Sequence, residues 1–151
     1  MSIEYQRTSE NINEFTSKII LKKVSDQIDQ LLTNEYDWDE IGYEKPDPKD
    51  IDYAKRTMLE FISSINSAGY SLSALETPFI SNGENGGATI EWRESGRSLY
   101  FDIKHRSAKF TKVWKEGNKT IVRTNKLHKT DYVKVWEWII IVQSENMWTS
   151  Q

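Results

Sequence analysis

The sequence predicts an α+β domain in which N-terminal helices pack on an antiparallel β-meander of about four to five strands, with a C-terminal helix. Three observations lead there. Apolar residues recur at intervals of three to five up to Gly69, the period of a helix, and alternate singly after it, the period of a strand. Clusters rich in Gly, Asn and Ser then interrupt the alternation at short, regular spacing, as in a run of hairpins. The chain of 151 residues, 37% hydrophobic and 12% aromatic, falls in the size range of one domain that buries roughly two-thirds of its unfolded surface in a single core.

The first helix is expected over 9–33, where Ile12, Phe15, Ile19, Val24, Ile28 and Leu31 form an apolar stripe between Lys18, Lys22, Lys23, Asp26 and Asp29. It reads as an N-terminal extension to an α+β core over 34–143, with 144–151 as a tail, and it offers a route to a homo-oligomer. The second helix is better punctuated. Asp47 can cap it, Pro48 suits its first turn, and Asp50 sets a carboxylate near the free N–H groups. Ile51, Ala54, Met58, Phe61, Ile62 and Ile65 form its stripe, and Gly69 is its natural stop.

Strands are expected over 75–81, 88–93, 98–104, 109–115 and 120–124. Asn82-Gly83-Glu84-Asn85-Gly86-Gly87, Glu94-Ser95-Gly96-Arg97 and Glu116-Gly117-Asn118-Lys119 signal three hairpins. Alternation assigns Ala88, Ile90, Trp92, Leu99, Phe101 and Ile103 to the face against the helices. Thr89, Glu91, Arg93, Tyr100, Asp102 and Lys104 go to a partly wet face. After Thr130, the residues Tyr132, Val133, Trp136, Ile139 and Ile140 fit a helical stripe, although 133–142 is also rich in β-branched and aromatic residues. A helix is expected, because Thr130 and Asp131 make a start and a lone late strand would lack a partner. Trp136 and Trp138 cannot share the centre of one helical face, so one belongs to the core and the other is at least half exposed; Trp148, in the polar tail, is expected to be exposed.

No cysteine is present, which excludes a disulfide framework and thiolate metal sites. The longest apolar run, near 138–142, is far short of a membrane span, and MSIEYQRTSEN has neither a basic nor an apolar region of a signal peptide. The expected location is cytoplasmic, with no membrane partner. The net charge of −3 conceals an asymmetry: residues 1–92 carry 8 Lys/Arg against 17 Asp/Glu, whereas residues 93–134 carry 12 against 4. Such a split either steers a charged partner or draws two halves of one domain together.

Tyr36-Asp37-Trp38-Asp39-Glu40-Ile41-Gly42-Tyr43, then Gly86-Gly87-Ala88-Thr89-Ile90-Glu91-Trp92 and Leu99-Tyr100-Phe101-Asp102-Ile103, form a recurring combination. It resembles a group of widespread small bacterial proteins of uncharacterised activity, whose cores read W-D-G-Y-G-A, a helix, G-G-x-x-x-E-W and an alternating strand. Glu40-Ile41 departs from that pattern, which passes straight from Asp to Gly, and Lys45 stands where a small residue is common. The resemblance implies the fold and, for function, small accessory or interaction proteins, some encoded beside their partners.

His105 and His128 are the only histidines, and no ligand spacing accompanies either for metal or acid–base work; surface turn positions account for both. Glu35, Asp37, Asp39, Glu40 and Glu44 lack the glycine-punctuated spacing of a calcium loop. They read as a solvated acidic loop or, interleaved with Tyr36, Trp38 and Tyr43, as a contact surface for a basic partner. Gly86-Gly87 precedes a strand and is a turn, and neither a nucleophile elbow nor a Cys nucleophile occurs. No catalytic set, metal site or cofactor motif emerges.

Two readings of function follow. The first is a non-enzymatic interaction protein that inhibits or neutralises a partner protein, of the antitoxin, immunity or anti-defence kind, with Tyr36, Trp38, Tyr43, Trp114 and Trp138 as its partner-binding anchors. The alternative is a nucleic-acid-binding module using the basic 104–129 region, through Lys104, Arg106, Lys109, Lys112, Lys115 and Arg123. Alternation already divides those cations between two faces, and lysines also protect strand edges.

Overall fold

A computed structural model describes residues 3–74 and 77–140. Its order is α1 (Ile3–Gln30), α2 (Trp38–Ile41), α3 (Pro48–Ser67), then β1 (Phe79–Asn82), β2 (Ala88–Glu94), β3 (Arg97–Lys104), β4 (Ser107–Glu116), β5 (Lys119–Lys126) and finally α4 (Tyr132–Ile140). The strands form one antiparallel sheet in chain order, so the helix-then-meander layout is as the periodicity predicts.

The six positions assigned to the inner face of β2 and β3 are all buried. Phe61 of α3 is fully buried and meets the rings of Trp92, Phe101, Tyr132 and Trp136 at centroid distances of 5.6, 5.0, 5.4 and 6.0 Å. These tilted and edge-to-face contacts add to burial the quadrupole attraction of aromatic pairs. Val24 and Ile28 of α1, and Leu31 in the 3-10 turn that continues it, join the same core, while Phe15 and Ile19 are exposed.

α3 begins and ends as its punctuation predicts. Asp47 Oδ1 accepts from Lys49 N at 2.8 Å. At the other end Gly69, with φ +90°, donates to Asn66 O, and Tyr70 N donates to Ile65 O, so the last carbonyls are satisfied. Tyr70 Oη also donates to Glu137 Oε2 at 2.7 Å, tying this corner to α4; that bond, with desolvation and the carboxylate's charge, raises the phenol's pKa.

Three expectations need correction. The first strand begins at Phe79, not 75, because Pro78 has no N–H to donate to a ladder; residues 75 and 76 lie outside the described residues. A fourth hairpin joins β3 to β4 through His105-Arg106, which carries no glycine. Arg106 takes a left-handed φ of +63°, and the turn is pinned by His105 N donating to Asp50 Oδ1 at 2.6 Å. Among the tryptophans, Trp136 is 1% exposed and Trp138 is partly buried, more covered than expected because neighbouring side chains close over its ring. Trp148 and the last residues of the expected core, 141–143, lie outside the described residues.

Candidate partner-binding surfaces

The segment between α1 and α3 is a run of backbone and side-chain fastenings. Asp37 caps α2 by accepting from Glu40 N, and Gly42, at φ +75°, ends it while Tyr43 N returns to Trp38 O at 3.0 Å. Glu44 N and Asp47 N then donate to Glu84 O and Gly86 O in the β1–β2 loop. Asn82 of β1 accepts from Asn34 and donates to Leu31 O. This acidic loop is therefore held against the edge of the sheet by four hydrogen bonds.

The fastenings present an apolar groove of about 450 Å³, lined chiefly by Leu31, Tyr36, Trp38, Ile41, Tyr43 and Phe79. Tyr36 and Trp38 stand edge to face, with centroids 5.1 Å apart and planes at 87°. Tyr36, Ile41 and Phe79 are 55%, 50% and 68% exposed, which leaves large apolar area facing solvent on one side of the molecule. Glu35, Asp37, Asp39, Glu40 and Glu44 of the same segment are all exposed, and residues 34–44 contain no Lys or Arg. No sequence signal singles out Ile41 or Phe79 as groove residues: strand periodicity puts Phe79 in β1 but does not reveal that its side chain faces solvent beside the acidic loop.

The five expected anchors divide into two groups. Tyr36, Trp38 and Tyr43 share the groove. Trp114 and Trp138 lie together over β4, centroids 5.9 Å apart. The Arg97 guanidinium lies 4.9 Å from the centroid of the Trp138 ring and donates to Trp138 O at 3.0 Å, and Lys112 Nζ lies 5.3 Å from the same ring. Two cations on one indole, with a carbonyl of the last helical turn satisfied, make this pair a clasp that holds α4 to the sheet.

The cations of the alternative reading are split as alternation predicts. Lys104, Lys109 and Lys115 share the open face of the sheet with Lys126, whereas Lys112 and Arg123 are cross-strand partners on the helix side, and Arg106 occupies the β3–β4 turn. On the open face Lys109 lies opposite both Asp102 and Lys126. Thr89 donates to Asp102 Oδ1 at 2.9 Å, and Arg93 pairs with Glu91 at 2.9 Å; that hydrogen bond and charge raise the guanidinium's pKa further. Asp102, Lys104 and Lys109 border a polar hollow of about 590 Å³ that Tyr43 reaches from the other side. Among the described residues no group of His, Asp or Glu is disposed to hold a metal ion, and His105 serves its turn through its backbone.

No family model, curated protein or solved structure matches the chain. No helix among the described residues is long and apolar enough to cross a membrane.

Proposed function

We propose that this chain is a protein-binding module of the inhibitory or neutralising kind, and that the groove beside α2 takes an apolar, basic segment of its partner. One observation carries the reading: exposed Tyr36, Ile41 and Phe79 line one concavity with Trp38, and the segment 34–44 that supplies most of its aromatic residues carries five exposed carboxylates and no Lys or Arg. Aromatic anchors in a groove with a charged rim are how protein interfaces combine affinity with partner choice. Covering a basic functional surface of the partner would neutralise it in the manner of an antitoxin, immunity or anti-defence factor, in keeping with the resemblance noted in the sequence. The test is co-expression with the product of an adjacent gene. A complex should elute as one species on gel filtration, and Tyr36→Ala with Trp38→Ala should abolish it while the circular dichroism of the free chain is unchanged. A complex that survives both substitutions refutes the groove.

The opposed pair Lys109 and Lys126, on the same open sheet face as Lys104 and, further along β4, Lys115, supports the second reading, a nucleic-acid surface. Retention on single-stranded DNA or RNA should then fall steeply with salt. No retention at low salt disposes of it.

A further inference from the structure

β5 is the last strand of the sheet, eight residues long, and among the described residues no strand pairs with its outer side. Seven of its residues are exposed, and only Ile121 is partly covered. The phase of its backbone can be read directly. Leu127 N donates to Ala108 O at 2.9 Å, and Glu116 and Lys119 close a two-residue loop in the same register. Lys119, Ile121, Arg123 and Asn125 therefore exchange hydrogen bonds with β4, and Thr120, Val122, Thr124 and Lys126 turn their N–H and C=O groups outward. No proline blocks those groups.

The charge around this edge is predominantly positive. β4 and β5 together carry Lys109, Lys112, Lys115, Lys119, Arg123 and Lys126 against the single carboxylate of Glu116. A second copy pairing β5 with β5 would set these cations beside each other, which is unfavourable in a sheet. The same lysines that deter such pairing select for a strand of opposite charge.

We infer that the outer edge of β5 is a docking site for an acidic, extended peptide segment that adds to the sheet as a sixth, antiparallel strand. Residues of the incoming strand opposite Thr120, Val122 and Thr124 lie on the open face, where Val122 is 52% exposed beside its β4 partner Val113, and these positions suit β-branched side chains. Residues opposite Lys119, Ile121 and Arg123 lie on the helix side, where carboxylates meet Lys119 and Arg123. The fitting segment alternates β-branched and acidic residues, with the main chain supplying affinity and the alternate side chains specificity. This site is separate from the groove beside α2 and has the opposite charge preference.

The probe is an acetylated peptide as long as β5 in which Val and Glu alternate, with a scrambled peptide of the same composition and a single-stranded DNA oligonucleotide as comparisons. Binding should slow hydrogen exchange at least tenfold at the amides of Thr120, Val122 and Thr124 and leave those of Ile121 and Arg123, already bonded to β4, nearly unchanged. Val122→Pro deletes one outward N–H without touching a β4 ladder bond, and should weaken the peptide at least tenfold, whereas Val122→Thr should not. If Val122→Pro disturbs the fold by circular dichroism, the period-two exchange pattern of the native chain decides. The inference is overturned if the alternating peptide binds no better than the scrambled one, if protection is uniform along β5, if the oligonucleotide binds more tightly than the peptide, or if sedimentation shows copies of the chain pairing through this edge.

Discussion

The two ends of the sheet are built on different principles. At the β1–β3 end, α1, α3 and α4 lie over the strands, and every inward position of β2 and β3 from Ala88 to Trp92 and Leu99 to Ile103 is buried. At the β4–β5 end the inner face runs from buried Ala108 and Phe110 to partly covered Lys112 and Trp114, and then to exposed Arg123 and Asn125. The helices reach no further than β3 in any extensive contact. β5 is held chiefly by its ladder to β4, so the first end stores stability while the second offers unpaired backbone and charge.

The sharpest way to break this contrast is to remove one apolar side chain from each end. Phe61→Ala empties the space between Trp92, Phe101, Tyr132 and Trp136 and should cost about 3–5 kcal/mol in urea unfolding. Val122→Ala on β5 should cost under about 1 kcal/mol. Equal costs would mean that β5 is integrated into the core and is no bare edge.

A smaller effect is expected at Asp50, the only charged side chain buried among the described residues. It lies near Gly86, in the first turn of α3, and accepts from His105 N, so one carboxylate joins α3 to the left-handed β3–β4 turn. Asp50→Ala leaves that N–H without its partner and should cost about 1–3 kcal/mol. Asp50→Asn keeps an acceptor oxygen and should cost less. Amide exchange at His105 separates the two, since the alanine variant should release this turn while β2 and β3 remain protected.

Alkaline titration sharpens the contrast from the side of the core. Burial, with the nearby Glu60 charge and then Tyr53, pushes the Tyr132 phenol up to about 12 from an ordinary 10.0. The folded state thus holds the neutral form, and the stability this contributes is intact below about pH 10 and is lost as pH rises through about 12. Tyr132→Phe should flatten the fall in unfolding free energy across that window, and by ultraviolet absorbance the variant should show one late-ionising tyrosine fewer than the native chain, in which the Tyr70 phenol is also raised. A variant with the same alkaline slope would show that Tyr132 is not the group responsible.

Most of the fold was legible because its signals are local. The Ile51 to Ile65 stripe, the Asp47-Pro48 start and the Gly69 stop concern residues a few positions apart, and helix α3 follows from them. The hairpin at His105-Arg106 was legible only in part: the flanking strands and a turn at His105 follow from the alternation, but no glycine announces the left-handed Arg106, and the carboxylate that pins the turn, Asp50, is fifty-five positions away. The binding surface divides the same way. Tyr36, Trp38 and Tyr43 are neighbours in sequence and were found together, whereas Phe79 enters the groove only through the docking of β1 beside the acidic loop. Trp114 and Trp138 are expected as anchors from the surplus of aromatic residues and, for Trp138, from its helical spacing to Trp136. Nothing in the order of residues announces that Arg97 and Lys112 would lie against Trp138.

The smallest predicted effect has the opposite sign to the rest. Lys109 and Lys126 are direct cross-strand neighbours on the open face, and like charges so placed oppose folding. Lys126→Glu replaces the repulsion with an opposite-charge pair beside Asp102–Lys109, and should stabilise the chain by about 0.2–1 kcal/mol at low salt. In 1 M salt, where the screening length is about 3 Å, most of that gain should vanish. A core position offers no comparable charge reversal, since an unpaired carboxylate placed there would be strongly destabilising. If the substitution instead destabilises the chain, Lys126 has a favourable partner on that face and the edge is less bare than its geometry implies. If it stabilises the chain and also weakens the alternating Val-Glu peptide, the native sequence has kept a repulsive pair at the expense of stability, as expected where the positive charge of β5 serves binding.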